Sequence, residues 1–299
     1  MIKLKVTDQT KQHQLYENID YESFWDGTQQ GKLDELEQIL VRQMLHLPAK
    51  RLIDIGCGYG RLLDTYQSAC GEIILLDSSS TLLQQAYQRS CGKAICISCD
   101  LQHLPFVSGA FDQAMMIRVF HHLPDSSAIL QEINRIVAPS GHFLFSYCNK
   151  RNLERILRWM IGRNPYNPFT LDTAWVWNVF HMHHPRAVRQ LLKSAGFSDQ
   201  VENGVGVIDK LAGWMGPLGE NFPPGLSWAP FLASSMIAPW IFNSSIKSAE
   251  GPNHLDDQFS EILQCIRCGS SMKKEKNSFH CPECNLRYPY EDGVIHCLA

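Results

Sequence analysis

A glycine-rich turn directly after a short apolar strand constrains the fold of this 299-residue chain more than any other feature. Residues 52–55 are apolar except for one aspartate, which is typical of a strand buried inside a sheet. Gly56, Gly58 and Gly60 follow at alternate positions, and we expect residues 61–69 to form a helix. A strand, a glycine turn and a helix N-terminus place backbone N–H groups against a bound ligand. The turn therefore predicts a cofactor site.

The residue after the third glycine narrows the choice of cofactor. The dinucleotide-binding fingerprint G-x-G-x-x-G needs a final glycine that packs the helix against the strand. Arg61 occupies the position where the fingerprint requires its last glycine. The spacing therefore argues against NAD.

Strands and helices alternate from residue 50 onward. The predicted strands are 51–55, 72–77, 94–99, 111–117 and 142–147, and the predicted helices are 61–69, 81–89 and 126–136. This alternation indicates an α/β fold, with a parallel sheet and helices on both faces. An amphipathic helix is predicted over residues 31–46, with one apolar face formed by Leu33, Leu36, Ile39, Leu40, Gln43 and Met44.

The alternation stops after residue 147. Residues 149–184 form a predicted insertion, rich in aromatic side chains, that would act as a lid or cap. A helix over 185–195 is predicted to end at Gly196. Residues 198–247 should hold the last two strands, joined by a Gly/Pro-rich excursion over 212–230. We predict that the apolar stretch 226–242 is buried, with a membrane-touching or lipid-binding surface as the alternative.

Acidic residues stand at the ends of three predicted strands. Asp54 closes the first, Asp77 with Ser78 closes the second, and Asp100 with Leu101 closes the third. Because the carboxyl ends of parallel strands meet at one edge, these carboxylates should lie near the glycine turn. A carboxylate at the end of the second strand can accept two hydrogen bonds from ribose hydroxyls.

Together these motifs resemble those of the class I S-adenosylmethionine-dependent methyltransferases, over roughly residues 16–247. The resemblance implies a Rossmann-like sheet of seven strands and S-adenosylmethionine as cofactor. In that scheme Asp54 approaches the methionine end, Asp77 the ribose and Asp100 the adenine amino group. The implied cofactor-binding residues are Asp54, Gly56, Cys57, Gly58, Gly60, Asp77, Ser78, Asp100, Leu101 and Arg118. The aromatic segment 21–25 either closes over the cofactor or packs on the sheet.

Histidines follow the predicted fourth strand, where the resemblance places the methyl-transfer face. His121 and His122 are the candidates for a general base, and a packing role is the alternative. Three further histidines, at 181, 183 and 184, do not share one helix face, so we expect packing or substrate contact there and no metal site.

Four cysteines near the C-terminus form two C-x-x-C pairs twelve residues apart. They are Cys265 with Cys268 and Cys281 with Cys284. Four thiolates at this spacing can surround Zn²⁺ as a tetrahedron, so we predict a structural zinc ribbon over residues 263–299. The alternative is a redox pair or uncoupled thiols.

The C-terminal segment also resembles a small zinc-ribbon family that includes an activator subunit of RNA and release-factor methyltransferases. The resemblance rests on the cysteine pairs and on the Tyr-Pro and Asp-Gly steps near residues 288 and 292. It implies that the ribbon either stabilises the catalytic domain or helps to place a substrate. We predict a methyltransferase domain over 1–247, a linker over 248–262 and the ribbon over 263–299.

The amino-acid composition limits the kinds of partner that we expect for this protein. The net charge is −3, which argues against a broadly cationic, nucleic-acid-binding surface. The polar first eleven residues do not resemble a secretory signal and we see no membrane span, so we expect a cytoplasmic protein. The methyl acceptor we expect is a small molecule of apolar character. The alternatives are an RNA or protein methyltransferase activated by its own ribbon, and a non-catalytic cofactor-binding or scaffold protein.

Overall fold

A mixed β-sheet organises the part of the chain that the computed structural model describes, which is residues 28–101, 103–123, 125–176, 180–206 and 237–297. In this part the sheet has eleven strands in the order β10-β11-β12-β13-β3-β2-β1-β4-β5-β9-β8. Their bounds are β1 Ala49–Ile55, β2 Cys70–Asp77, β3 Ile95–Ser98, β4 Phe111–Met116, β5 Val137–Cys148, β8 Phe197–Val205, β9 Trp240–Lys247, β10 Lys273–Lys274, β11 Ser278–His280, β12 Arg287–Glu291 and β13 Val294–His296. Strands β3, β2, β1, β4 and β5 are mutually parallel, and β9 is antiparallel to β5 and β8.

Helices flank the sheet, and local sequence explains where several of them begin. They are α1 Thr28–Met44, α2 Ser80–Arg89, α3 Ser126–Ile136, α4 Leu153–Met160, α5 Pro185–Ser194 and α6 Phe259–Ile262. The Ser79 side chain accepts a hydrogen bond from the Leu82 N–H at the start of α2, and Asp125 accepts two at the start of α3. Gly196, at φ +92°, follows the end of α5 as predicted. No helix in the described part combines the length and the apolar character needed to span a bilayer.

The core lies on both faces of the sheet because the side chains of each strand alternate. In β1, Ile53 and Ile55 belong to the cluster on one face, together with Phe111 and Phe143. Leu52, one residue earlier, belongs to the cluster on the other face. The predicted α/β sheet is therefore confirmed.

The predicted helix over residues 61–69 is wrong. Two short 3₁₀ turns stand there, at Leu63–Thr65 and Gln67–Ala69. The crossover must return along the whole of β1, because Ala49 pairs with Cys70. Seven strand residues span about 23 Å, whereas nine α-helical residues advance only about 14 Å, so a regular helix would not reach.

The predicted apolar face of the first helix is partly wrong. Ile39 is 45% exposed and Gln43 is exposed, while Val41 is fully buried. The buried face of α1 includes Leu40, Val41 and a charged residue, Glu37. The helix is therefore rotated relative to the prediction, and the rotation directs a carboxylate inward.

The insertion contains α4 and a two-stranded hairpin of β6 (Ala174–Val176) and β7 (Phe180–Met182). Its base is fixed by Lys150, whose buried ammonium donates to the Thr170 hydroxyl at 2.9 Å and to the Asp172 carbonyl at 2.6 Å. The aromatic segment 21–25, the excursion 212–230 and most of the stretch 226–242 lie outside the described residues.

The prediction of seven strands was incomplete, because the C-terminal segment extends the sheet. Strands β10 to β13 form an antiparallel array, and β13 pairs in parallel with β3 through the Ile295–Ile97 register. The polar segment before this array is held by the buried Arg51, which donates to the carbonyls of His254 and Asp257. The domain boundaries at residues 247 and 263 stay a prediction.

Candidate active site and cysteine centre

The glycine turn leaves β1 at the edge where the parallel strands end. Gly56, Gly58 and Gly60 all have positive φ, at +73°, +55° and +78°. A Cβ on Gly56 would overlap with the Val119 side chain from the loop after β4, so this position has no room for another residue. The N–H groups of Gly56 and Cys57 both donate to the Leu76 carbonyl, at 2.6 and 3.1 Å. These bonds fix the turn against the end of β2.

Asp77 ties the second strand to the glycine turn. One of its carboxylate oxygens accepts from the Gly58 N–H at 2.8 Å and the other accepts from the Ser79 N–H at 3.0 Å. These two bonds orient the carboxylate at the edge of the sheet where the glycine turn lies. The geometry is compatible with the predicted ribose contact, which stays a prediction.

Asp54 is buried below the turn. It is 3% exposed and accepts a hydrogen bond from the Tyr66 hydroxyl at 2.7 Å. Burial raises the pKa of Asp54 to about 7, although the Tyr66 bond and the Arg61 charge lower it. The sequence did not indicate Tyr66, which comes from the segment predicted to be helical. Asp54 therefore joins the end of β1 to the crossover segment that follows the glycine turn.

The remaining predicted cofactor residues lie at the same edge. Ser78 accepts a hydrogen bond at its carbonyl from the Ser98 hydroxyl, which joins the ends of β2 and β3. Asp100 follows β3 and is exposed, with the half-buried Leu101 beside it. Cys57 is buried, and burial raises the pKa of its thiol. The structure thus brings the predicted strand-end residues together, and their cofactor roles stay predictions.

Arg118 lies in a charged network that the sequence analysis missed. Its backbone is left-handed, at φ +64°, and its guanidinium donates to Glu37 at 2.7 Å and stacks 3.5 Å from the Trp240 ring centroid. Glu37 is completely buried and also pairs with Arg61 at 3.0 Å, while Arg61 pairs with Asp34. The available signal was a carboxylate within the apolar stripe of α1, one turn before Leu40 and Val41.

The two candidate histidines lie in the 3₁₀ turn Phe120–His122 after β4. His121 is 3% exposed, and its ring centroid lies 4.0 Å from that of His122 and 5.0 Å from those of Phe180 and Trp240. Hairpin β6–β7 and the start of β9 therefore close over this turn. His122 is the more accessible of the two.

The insertion adds two more imidazoles to this cluster. The His183 ring lies 5.0 Å from Phe120 and 6.3 Å from His181. Nδ1 of His121 and Nε2 of both His181 and His183 are buried without a hydrogen-bond partner among the described residues. Burial lowers the pKa of all three rings, that of His183 to about 3, so they are neutral at pH 7.

His184 has a structural role instead. Its Nδ1 accepts from the Arg186 N–H at 3.1 Å and caps α5. In the described part of the chain, the group of side chains that could hold a metal ion contains none of these histidines. The expectation of packing or substrate contact for this segment stays a prediction.

The four C-terminal cysteines converge. Their Sγ atoms all lie within 4.8 Å of one another, and the Cys265–Cys284 and Cys268–Cys281 pairs are each 3.4 Å apart. Zinc–sulfur bonds of about 2.3 Å place the sulfurs of a tetrahedron about 3.8 Å apart. The four thiols are all free of disulfides. They therefore fit a tetrahedral zinc site.

The two cysteine pairs share one backbone geometry. Gly269 N–H donates to the Cys265 carbonyl at 2.8 Å, and Asn285 N–H donates to the Cys281 carbonyl at 3.0 Å. Both donors are left-handed, at φ +74° and +59°. Glycine and asparagine are the residues that adopt this conformation most readily. The same tight turn thus presents each pair of thiols.

A protein-family model described as a methyltransferase domain matches residues 53–145. Residues 53–145 are therefore similar to a methyltransferase domain. The matched segment runs from β1 to β5 and includes the glycine turn, Asp77, Asp100 and the histidine turn. The C-terminal cysteine array lies outside this match.

Relatives of the methyltransferase domain carry named activities of their own. A malonyl-[acyl-carrier protein] O-methyltransferase of Legionella pneumophila is 31% identical over 35% of this chain and 38% of that protein. A ubiquinone biosynthesis O-methyltransferase of Paraburkholderia phymatum is 27% identical over 46% of this chain and 63% of that protein. The chain thus spans less than two thirds of the length of either relative.

A solved structure shares the fold. It is the magnesium protoporphyrin IX methyltransferase of Synechocystis PCC 6803 with bound SAH, with a TM-score of 0.52 and 14% identity. The match covers 81% of this chain and all of that protein. The Rossmann-like methyltransferase fold therefore extends well beyond the segment 53–145.

Proposed function

We propose that this chain is an S-adenosylmethionine-dependent methyltransferase acting on a small molecule of apolar character. The observation that carries the proposal is the glycine turn fastened to Asp77 at the carboxyl ends of β1 and β2. Acidic side chains from three neighbouring strands lie at that edge, where α/β sheets bind their ligands. The methyltransferase domain and the names of its relatives support the same reaction.

S-adenosylmethionine, when bound, supplies a methyl group already activated by a positive sulfur. The chain then has to bind the cofactor, orient the acceptor and exclude water. Asp77 would accept hydrogen bonds from the ribose, Asp100 and Leu101 would contact the adenine, and the glycine turn would lie beneath the methionine part. Arg118 would complete the site beside Trp240.

The acceptor we propose carries a hydroxyl group. His121 presents a neutral imidazole beside the rings of Phe180 and Trp240. The neutral imidazoles of His181 and His183 lie against Trp175 and Phe120. A buried polar atom without a partner costs about 1–3 kcal/mol, which a hydrogen-bonding ligand would recover. A neutral imidazole can also take a proton from a hydroxyl as that oxygen becomes nucleophilic. The aromatic surroundings favour an apolar body on the same molecule.

Calorimetric titration with S-adenosylhomocysteine tests the cofactor assignment. We expect binding by the wild type and a loss of about 1–3 kcal/mol in Asp77→Ala, because ribose hydroxyls would lose their partner. Asp199→Ala, which alters an exposed carboxylate on β8 at the far edge of the sheet, is the matched control. No binding by the wild type would refute the proposed methyl donor, and equal affinities would refute the ribose contact alone.

We further propose that the four cysteines bind one structural Zn²⁺ and that the chain divides into residues 1–247, 248–262 and 263–299. The convergence of the sulfurs and the repeated turn support the metal. Metal analysis of freshly reduced protein should find one zinc per chain and none in Cys281→Ser. Cys91→Ser, at an exposed cysteine outside the converging group, should keep the metal.

A second candidate function is methylation of RNA or protein with the ribbon as activator in the same chain. The parallel pairing of β13 with β3 supports it, because the ribbon completes the sheet of the methyltransferase domain. Transfer of radiolabelled methyl groups into a fractionated lysate separates the candidates. Labelled product that survives nuclease and protease supports a small acceptor, nuclease- or protease-sensitive product supports the second candidate, and no product supports a non-catalytic binding protein.

A further inference from the structure

Exposed apolar side chains are concentrated on the insertion. Of the ten large apolar residues that are well exposed in the described part of the chain, seven lie between residues 157 and 175. Met160 is 69% exposed, Ile161 62% and Trp175 50%. We call this surface the insertion face and define it as Leu157, Trp159, Met160, Ile161, Phe169, Leu171 and Trp175. Contiguous apolar patches of this kind on a protein surface usually mark an interaction site.

The insertion face is held in place by buried contacts. Trp159, at the end of α4, packs edge-on against Phe169 with ring centroids 5.6 Å apart. The loop that carries Phe169 is fixed from below by the buried Lys150, which donates to Thr170 and Asp172. Asn152 caps α4 through the Arg155 N–H at 3.1 Å. The apolar side chains are therefore presented on a supported surface.

The charge around the insertion face is opposite in sign to that of the whole chain. Residues 150–175 contain five Lys or Arg and two Asp or Glu, a net charge of +3, whereas the full chain carries −3. Arg158 and Arg163 flank the exposed apolar tip, and Arg151 lies 5.7 Å from the Phe169 ring. Long basic side chains around an apolar patch with Trp are typical of surfaces that lie in the interface of an anionic membrane.

We propose that the insertion face docks on the interface of a bilayer containing anionic phospholipids. Met160 and Ile161 would enter the acyl boundary, Trp159 and Trp175 would lie at the headgroup level, and the arginines would contact phosphates. The charge favours this occupant over a protein partner, because Arg158, which pairs with Glu154 at 3.1 Å, and Arg163 flank the apolar tip, and a membrane supplies matching anions.

Docking would also bring the candidate acceptor site to the membrane. Strand β7 belongs to the same insertion, and its Phe180 ring lies 5.0 Å from His121. An apolar acceptor dissolved in the bilayer could then reach the histidine turn with a short path through water. This consequence rests on the proposed function, whereas the docking itself does not.

Flotation of the full-length protein with vesicles tests the docking. We expect binding to vesicles of phosphatidylcholine with phosphatidylglycerol, weak binding to phosphatidylcholine alone, and a marked loss at about 0.5 M salt, where charges are screened within a few ångströms. The double variant Met160→Glu/Ile161→Glu should bind at least about tenfold more weakly, since two apolar side chains no longer enter the lipid. Val201→Glu, at an exposed apolar residue on the edge strand β8, should bind like the wild type.

Three outcomes would overturn the docking. The first is the absence of binding to the anionic vesicles, and the second is equal binding by the double variant. The third is a wild type that self-associates in light scattering while the double variant is monomeric, which would assign the insertion face to a second copy of the chain. S-adenosylhomocysteine titration of the double variant should match the wild type, so a failed docking is distinguishable from a failed methyl-donor assignment.

Discussion

The buried carboxylate of Glu37 gives the sharpest test of how the site is held together. Glu37 is fully buried on α1 and contacts two guanidinium groups, those of Arg61 beside the glycine turn and Arg118 after β4. The two arginine side chains are only 10% and 12% exposed. Water therefore cannot replace the carboxylate if it is removed.

Glu37→Gln removes the charge and nearly preserves the shape. Breaking a buried ion pair from one side costs about 3–5 kcal/mol, because a buried guanidinium loses its carboxylate partner. For a chain of this size about 1 kcal/mol shifts the melting temperature by about 2 °C, so we expect a fall of about 6–10 °C. Differential scanning calorimetry measures it, and Glu35→Gln, at an exposed position on the same helix, should change the melting temperature by less than about 1 °C.

A second variant separates the charge effect from the loss of packing. Glu37→Leu combined with Arg118→Met should be more stable than Glu37→Leu alone, because Arg61 keeps its pair with Asp34 and the guanidinium of Arg118 is removed together with its carboxylate partner. A Glu37→Gln protein that melts with the wild type would refute the reasoning. It would mean that the arginines have another counter-charge or reach water when the carboxylate is absent.

Two further predictions concern pH and the C-terminal array. Burial raises the pKa of Asp54 to about 7, so between about pH 4 and pH 7 the folded protein keeps a proton that the unfolded chain releases. The melting temperature of the wild type should therefore fall as the pH rises over that range, relative to the melting temperature of Asp54→Asn. Parallel pH profiles of the two proteins would contradict the raised pKa of Asp54. Gly293→Ala should lower the melting temperature more than Gly269→Ala. Both glycines have positive φ, but only at Gly293 would a Cβ overlap with the Tyr87 ring. Equal shifts of the melting temperature in calorimetry would contradict close packing of the C-terminal array against Tyr87.

Much of the fold could be predicted because local signals and tertiary packing agree. The strands β1 to β5 are largely apolar runs, and the observed sheet buries them on both faces. The helix prediction for residues 61–69 was wrong for a geometric reason. Its composition favours a helix, but the distance that it must span back to β2 requires a more extended path.

The charged half of the site could not be predicted, because no local pattern joins its members. Glu37, Arg61 and Arg118 are separated by 24 and 57 positions in the chain and meet only when α1 packs beside the ends of β1 and β4. The rotation of α1 was equally hidden, because a helix with apolar residues on more than one side has no unique buried face in sequence. By contrast, the convergence of the four cysteines could be predicted from their spacing, since each pair is closed by its own turn.

The candidate cofactor site and the cysteine centre lie far apart in the chain, and the pairing of β3 with β13 joins them. Without β13, the four-residue strand β3 would be an edge with unpaired backbone groups, at the place where Asp100 is predicted to contact the cofactor. Val294–His296 covers that edge, and the Cys297 N–H donates to the Ser98 carbonyl at 2.8 Å, two residues before Asp100. The array that supplies β13 is too small to have a large core of its own and contains the four converging thiols. Whatever stabilises the thiol centre therefore also stabilises the end of β3, so the C-terminal array belongs to the candidate site as much as to the rim of the sheet.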